Sequence, residues 1–185
     1  FDYDGSNFSD LDFDGRIPIR GVIGLLFQGG ALFDSMTVLQ NVMFPLTMLS
    51  GLSESERIDR ANFCLQRVNL PSSNNLYPSE ISGGMKKRVA IARAIAMNPK
   101  YLYCDEPNSG LDPKTSIVID ELIMELTEEY QTTTVINTHD MNSVMRMGES
   151  IIFLKEGKKI WEGNSESFHK SGVPALEEFL STKLF

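Results

Sequence analysis

The stretch YLYCDEP, residues 101–107, decides the fold of this 185-residue chain. Its first four residues form a short apolar run typical of a buried strand. The run ends in two adjacent carboxylates, Asp105 and Glu106, followed by a proline. Because ligands of parallel sheets collect at the carboxyl ends of the strands, Asp105 could hold Mg²⁺ through water and Glu106 could polarise an attacking water. An ordinary exposed strand end is the alternative for this pair taken alone.

The sequence on either side alternates between strand-like and helical patterns. Strands are predicted at GVIGLLF (21–27) and TTVIN (133–137), with a hairpin over 150–161 that turns at Glu156-Gly157. Helices are predicted over 53–68, 83–97, 112–130 and 141–147, and from about residue 164 in an exposed tail. This alternation predicts an α/β domain with a mostly parallel sheet, in which residues 29–79 form a helical insertion between two core strands.

Composition limits the class of partner. There are 17 Lys+Arg and 25 Asp+Glu residues, so the net charge is −8, and a diffuse nucleic-acid binder would normally be basic. The basic cluster at residues 86–88 (KKR) is interpreted as an exposed helix face. Cys64 and Cys104 form no disulfide framework and no metal-ligand cluster, which fits a reducing compartment. No apolar run approaches the roughly 20 residues of a membrane helix.

Three further segments carry polar groups at places where a ligand could bind. The sequence SGG, residues 82–84, stands where a helix is predicted to begin, and free backbone amides there form an anion site unless the serine is only an N-cap. Gln28 ends the predicted strand 21–27 and could hydrogen-bond a metal-bound water, or it simply starts a loop. His139 follows the strand 133–137, so it is expected at the same sheet edge as Asp105, although a single histidine is usually structural.

The order of these segments resembles the ATP-binding-cassette (ABC) ATPase family. The matching motifs are the glutamine loop at Gln28, the signature Ser82-Gly83-Gly84, the Walker B pair Asp105-Glu106, the D-loop Ser109-Gly110-Leu111-Asp112 and the switch histidine His139. Two residues depart from the pattern: Met85 replaces a glutamine that many members carry, and Asn108 precedes the D-loop.

The resemblance implies a P-loop NTPase-like fold in a single domain. Residues 1–28 and 80–185 would form a RecA-like core, and residues 29–79 a helical subdomain. It also implies an ATPase that works as a homodimer, with two ATP molecules sandwiched head to tail between the copies, Mg²⁺ as the cofactor and no nucleic acid as a partner.

The resemblance assigns a role to each motif residue. Ser82, Gly83 and Gly84 of one copy would contact the γ-phosphate of the ATP held by the other, and His139 would contact the γ-phosphate as well. Asp105 would hold Mg²⁺, Gln28 would report the occupancy of the metal, Glu106 would act as general base, and Asp112 would link the two sites.

A finer resemblance lies in the segment FQGGALFDSMTV, residues 27–38, together with Asn41-Val42 and the FPL of residues 44–46. These residues are similar to ATPases of Mla-type phospholipid-trafficking and organic-solvent-resistance transporters. The implied substrate is a phospholipid or another hydrophobic molecule, and the implied place is the cytoplasmic face of a bacterial cell membrane.

This branch also implies a transmembrane permease and a periplasmic lipid-binding subunit as partners. The permease would dock on residues 34–79. The apolar contacts would come from Met36, Val38, Val42, Phe44 and Met48. Ordinary packing in the core is the alternative for each of these side chains.

An ABC ATPase also needs a phosphate loop, G-x-x-x-x-G-K-S/T, and no glycine of this sequence begins one. We therefore expect an N-terminally truncated chain that is inactive alone and self-associates through an exposed apolar surface. Two alternatives stay open: a soluble ABC ATPase without a transport role, and a degenerate cassette that acts as a scaffold.

Overall fold

A computed structural model describes residues 2–3, 5–168 and 171–183 of the chain. The strands are β1 (Asp2–Tyr3), β2 (Ser6–Asn7), β3 (Ile23–Leu26), β4 (Tyr101–Asp105), β5 (Thr133–Asn137), β6 (Ile151–Lys155) and β7 (Lys158–Gly163). The helices are α1 (Phe13–Gly21), α2 (Val38–Leu49), α3 (Glu54–Arg67), α4 (Gly83–Ile95), α5 (Pro113–Tyr130), α6 (Met141–Met147), α7 (Ser165–Phe168) and α8 (Pro174–Lys183), with short 3-10 turns at Phe8–Asp10 and Pro78–Glu80. The chain divides into two compact units between Asn137 and Thr138.

The first unit is built on a three-stranded parallel sheet with the order β3-β4-β5. Leu26 lies beside Cys104, and Asp105 lies beside Asn137, so the three strands end at one edge. Parallel neighbours need long crossover connections. Helices α2 to α4 connect β3 to β4, and α5 connects β4 to β5. The predicted α/β class with a parallel sheet is confirmed.

The helix starts follow from capping residues in the sequence. Ser53 and Glu56 form the predicted capping box at the start of α3, in which Ser53 Oγ accepts from the Glu56 amide and the Glu56 carboxylate accepts from the Ser53 amide. Asp112 caps α5 ahead of Pro113, also as predicted. Helix α1 was not predicted, because its sequence FDGRIPIRG contains two glycines and a proline.

The core of the first unit lies between one face of the sheet and the helices α2 to α5. Leu26, Leu102 and Cys104 point to this side of the sheet and are at most 2% exposed. Val38 and Val42 of α2 are completely buried in the same core. The expectation that these two valines contact a permease is therefore wrong, because core packing occupies both.

The opposite face of the sheet leaves apolar side chains exposed. Leu25 and Val135 are 46% and 50% exposed, and Phe27, just after β3, is 48% exposed. Part of this face lines a cavity of about 920 Å³ whose walls include Leu25, Phe27 and Tyr103. Parallel sheets are usually covered on both faces, so this face is an apolar surface open to association.

The second unit contains α6 to α8 and the antiparallel hairpin β6–β7. Glu156 and Gly157 turn the hairpin at φ angles of 52° and 73°, the left-handed pair that a type I′ turn requires. The prediction of an exposed tail is wrong in part. Phe168 and Leu176 are buried in a cluster that includes an edge contact between Phe168 and Trp161, with ring centroids 5.3 Å apart.

Among the described residues, the structure contains no helix with both the length and the apolar character needed to span a bilayer.

Candidate functional site

The end of β4 carries an exposed carboxylate that a neighbouring strand orients. Asp105 is the last residue of β4 and lies in register with Asn137, the last residue of β5. The Asn137 side-chain amide Nδ2 donates a 2.7 Å hydrogen bond to Asp105 Oδ1. One carboxylate oxygen is thereby held in place, and Oδ2 remains available as a hard oxygen ligand of the kind that Mg²⁺ prefers.

Glu106 follows directly in an unusual backbone conformation. Its φ angle is +46°, in the left-handed region that non-glycine residues seldom occupy. The Glu106 amide donates to the Asn137 carbonyl at 2.8 Å, which fixes the turn beyond the strand. Strain of this kind persists only where surrounding contacts hold it, and it is frequent at functional sites.

Gln28 lies at the end of the neighbouring strand and contacts the segment beyond Glu106. Its side-chain Nε2 donates to Ser109 Oγ at 3.2 Å, across 81 residues of sequence. The structure therefore brings Gln28 to the same edge of the sheet as Asp105 and Glu106, where the sequence placed them. This arrangement puts an amide, two carboxylates and a hydroxyl at one edge, which suits the binding of a hydrated cation.

Lys87 is a residue of this edge that the sequence analysis missed. Its side chain is buried, with 5% of the residue exposed, and its ammonium Nζ donates to the carbonyls of Gln28 and of Glu106, the latter at 3.1 Å. Burial lowers the pKa of Lys87, and the nearby charges of Glu106 and Asp105 oppose that shift.

The interpretation of residues 86–88 as an exposed face is thus wrong for Lys87. The signal was present in the helical period, because Lys87 stands four and eight residues before Ile91 and Ile95 on the buried stripe of α4.

A second group of predicted residues meets where α4 and α5 begin. Ser82 caps α4, and its Oγ accepts from the Met85 amide at 3.2 Å, which leaves the hydroxyl proton free to donate elsewhere. A Cβ on Gly84 would lie 2.9 Å from Thr115 Cγ2, so only glycine lets the start of α4 approach the first turn of α5 this closely. The signature residues and Asp112 therefore lie on adjoining helix starts.

Asp112 is engaged by the first turn of its own helix. Its Oδ1 accepts from the amides of Lys114 and Thr115, both at 3.1 Å, and its Oδ2 accepts from the Thr115 hydroxyl at 2.5 Å. The side-chain hydrogen bond from Thr115 is the main reason that the pKa of Asp112 is lowered. Asp112 is thus a charged N-cap on an exposed surface.

The D-loop is also anchored from inside the first unit. Asn108, immediately before it, is buried and donates through Nδ2 to Asp120 Oδ1 at 2.5 Å. Asp120 is a completely buried residue of α5. The asparagine that departs from the family pattern therefore has a partner on the adjoining helix.

His139 belongs to the second compact unit, two residues beyond β5. It is exposed and precedes Asp140, which caps α6 through a 2.9 Å bond from the Asn142 amide. Its assignment to the γ-phosphate stays a prediction.

Comparisons with known proteins identify the family of this chain. The family model described as ABC transporter matches residues 2–109. The methionine import ATP-binding protein MetN of Bacillus subtilis is 40% identical over 159 residues, which are 86% of this chain and 46% of that protein. MetN of Latilactobacillus sakei is 38% identical over 181 residues, 97% of this chain and 52% of that protein. The chain thus spans about half the length of these relatives.

A relative with a different name and a solved structure complete the comparison. The probable ribonucleotide transport ATP-binding protein mkl of Mycobacterium leprae is 35% identical over 178 residues, 96% of this chain and 51% of that protein. A dimeric ATP-binding cassette, MJ0796, solved in a post-hydrolysis state with ADP and Pi, superimposes with a TM-score of 0.78 at 40% identity. It covers 88% of this chain and 72% of its own. The family match, the parallel sheet and the shared sequence together place this chain in the ABC transporter family.

Proposed function

We propose that the chain forms part of the ATP-binding and ATP-hydrolysing subunit of an ABC transporter. The observation that carries the proposal is the meeting of Gln28, Asp105 and Glu106 at one edge of the parallel sheet, tied together through Lys87, Ser109 and Asn137. Phosphoryl transfer needs mainly positioning and electrostatic stabilisation, and a sheet edge held by several hydrogen bonds provides a fixed frame for both.

The donor set fits ATP with Mg²⁺. Asp105 and the Gln28 side chain would hold the hydrated cation, which would neutralise charge on the phosphates. Glu106 would accept a proton from the attacking water, as a general base must. His139 would contact the γ-phosphate from the segment after β5.

The second group of residues would serve a second nucleotide. The amides at the start of α4, with the Ser82 hydroxyl and the open backbone of Gly83 and Gly84, form an anion site. In a head-to-tail homodimer this site would face the γ-phosphate of the ATP bound by the partner copy. Asp112 at the start of α5 would join the two sites across the dimer. The dimeric state of the MJ0796 cassette supports this arrangement.

Hydrolysis is tested on the whole natural protein with Glu106→Gln. Loss of the carboxylate removes the general base while keeping the shape of the side chain, so we expect ATP turnover to fall at least 100-fold and ATP-bound dimers to accumulate. Light scattering measures the fraction of dimer, and labelled ATP measures the nucleotide bound to it. Normal turnover by this variant would exclude Glu106 as the base, and absence of hydrolysis by the unaltered protein would favour a scaffold.

The 185-residue chain itself is expected not to bind ATP tightly, because its sequence contains no G-x-x-x-x-G-K-S/T loop to grip the β- and γ-phosphates. Calorimetry decides this point directly. A micromolar affinity would show that the 185 residues bind ATP without such a loop.

The transported substrate has two candidates. Two of the relatives described above are named as methionine importers, which supports a small amino acid. The segment from Phe27 to Leu46 supports the phospholipid or other hydrophobic substrate inferred from the sequence. A transmembrane permease would be the partner in either case, at the cytoplasmic face of the membrane, and a periplasmic substrate-binding subunit would supply the substrate.

Transport assays separate these candidates and test the soluble alternative. Uptake of labelled methionine and transfer of labelled phospholipid are measured in proteoliposomes that contain the subunit and its permease, with the Glu106→Gln variant as control. ATP-dependent movement of one substrate identifies it. ATP hydrolysis by a subunit that copurifies with no membrane protein would favour the soluble ABC ATPase.

A further inference from the structure

The buried ammonium of Lys87 joins two segments that carry the proposed chemistry. Nζ donates to the carbonyl of Gln28, at the end of β3, and to the carbonyl of Glu106, just beyond β4. These residues are 59 and 19 positions away from Lys87 in the sequence, so only the fold brings them together. A lysine has three N–H donors and no acceptor, which suits it to holding two carbonyls at once.

Burial of the Lys87 ammonium costs free energy unless the charge has hydrogen-bond or ionic partners. Transfer of an ammonium group out of water is unfavourable, and an apolar side chain of similar length would fill the same space without this cost. The carboxylates of Asp105 and Glu106 lie near enough to favour the charged form. The site therefore contains a buried ammonium bound by two backbone carbonyl oxygens, rather than a lysine buried by packing alone.

Glu106 has a backbone that needs such support. Its φ of +46° is left-handed, its carbonyl accepts from Lys87 Nζ at 3.1 Å, and its amide donates to Asn137 O at 2.8 Å. The direction in which a side chain leaves the backbone depends on φ, so a donor on this carbonyl also orients the Glu106 carboxylate.

Lys87 is also rigidly connected to the signature. It lies in the second turn of α4, whose first turn contains Gly83 and Gly84 and whose cap is Ser82. A helix transmits a displacement along its axis because its backbone hydrogen bonds are continuous.

We propose that Lys87 is a positioning residue of the nucleotide site, which holds the Gln28 and Glu106 backbones to α4 so that the glutamine loop, the candidate base and the signature keep one fixed geometry. This role rests on the proposed ATPase function, but its structural core is testable without nucleotide. Loss of the ammonium should loosen two sequence-distant segments at once.

The test is amide hydrogen exchange on the 185-residue chain with Lys87→Met, read by mass spectrometry over residues 28–31 and 106–109. We expect at least fivefold faster exchange in both segments, and no change in α3. Lys86→Met is the matched control, since Lys86 is a half-buried lysine on the same helix. Unchanged exchange, or a change in one segment alone, would overturn the proposal.

Two more variants keep the test decisive if Lys87→Met does not fold. Lys87→Arg keeps charged donors, so both segments should stay protected from exchange. Lys87→Gln has a shorter neutral amide, so at most one of the two segments should stay protected. Unfolding of all three variants, or equal protection in Arg and Gln, would mean that Lys87 only supports the core, and the positioning role would be rejected.

Activity of the whole natural protein provides a separate readout. Lys87→Met should lower kcat at least tenfold while the KM for ATP stays within twofold, and Lys87→Arg should recover most of kcat. A KM effect without a kcat effect would contradict positioning of the base. If the unaltered protein does not hydrolyse ATP, the proposed function fails, but the exchange experiment still decides whether Lys87 holds both segments.

Discussion

Asn137 Nδ2 donates a 2.7 Å hydrogen bond to Asp105 Oδ1, so the last residue of one strand orients the carboxylate at the end of its neighbour. The bond crosses two parallel strands at the edge where Gln28 and Glu106 also lie. It gives the candidate metal ligand a defined direction before any cation binds. Arrangement of ligands in advance reduces the cost of ordering them on binding.

The first prediction concerns this bond. Asn137→Ala should raise the Mg²⁺ concentration for half-maximal ATP hydrolysis by the whole natural protein about tenfold, the equivalent of about 1.4 kcal/mol, near the lower end for a hydrogen bond to a charged acceptor. A magnesium titration of the ATPase rate measures it. Asn75→Ala, at an exposed asparagine of the same unit, is the control. An unchanged midpoint would remove Asn137 from the site.

The second prediction concerns the close approach of α4 and α5. Gly84→Ala should lower the free energy of unfolding by about 1 kcal/mol, because the new Cβ would lie 2.9 Å from Thr115 Cγ2. Gly83→Ala should be close to neutral, since its nearest contact is 3.9 Å from Leu111 Cδ2. Urea unfolding monitored by circular dichroism measures both.

A second substitution checks the cause of this loss. Thr115→Ser removes the methyl group but keeps the hydroxyl that binds Asp112. The double variant Gly84→Ala with Thr115→Ser should recover most of the stability. If the double variant stays as unstable as Gly84→Ala alone, the loss comes from backbone strain at Gly84 and not from the clash with Thr115.

The third prediction concerns the two cysteines. Burial raises the pKa of Cys64 to about 11 and that of Cys104 to about 12, against 9.0 for a free thiol. A raised thiol pKa means less thiolate at pH 8, by about 100-fold for Cys64, and thiolate is the reactive form. Both thiols should therefore react with iodoacetamide at least 100-fold more slowly in the folded chain than in urea, as measured by mass spectrometry. Rapid labelling of either one in the folded chain would contradict its burial.

The fourth prediction concerns the open face of the sheet. The 185-residue chain should self-associate through the apolar surface that includes Leu25, Phe27 and Val135. Leu25→Glu should shift the chain towards monomer in sedimentation and reduce the binding of an apolar dye. Met124→Glu, at a 43% exposed residue of α5, should have little effect. A monodisperse, unaltered monomer that binds no dye would disprove the association.

Local sequence patterns determined most of the elements. Capping residues such as Ser53 and Asp112 marked helix starts, and β-branched runs such as TTVIN marked strands, because these signals act within a few residues of the backbone. The grouping of Gln28 with Asp105 and Glu106 also followed from sequence, since the ends of parallel strands must share an edge. Helix α1 was not predictable in this way, because two glycines and a proline give its sequence a low helix propensity; in the structure, Asp12 caps its start by accepting from the Gly15 amide at 2.8 Å.

Only the tertiary structure decided which polar groups support this edge and which apolar residues are inside. A run of three basic residues is typical of an exposed helix face. In the fold, the ends of β3 and β4 lie beside α4, so Lys87 is buried and donates to two carbonyls. The sequence likewise allowed Val38 and Val42 to be contacts for a permease, but both side chains are buried in the core. Burial and long-range hydrogen bonds depend on which segments meet in space, and the sequence around a single residue carries little of that information.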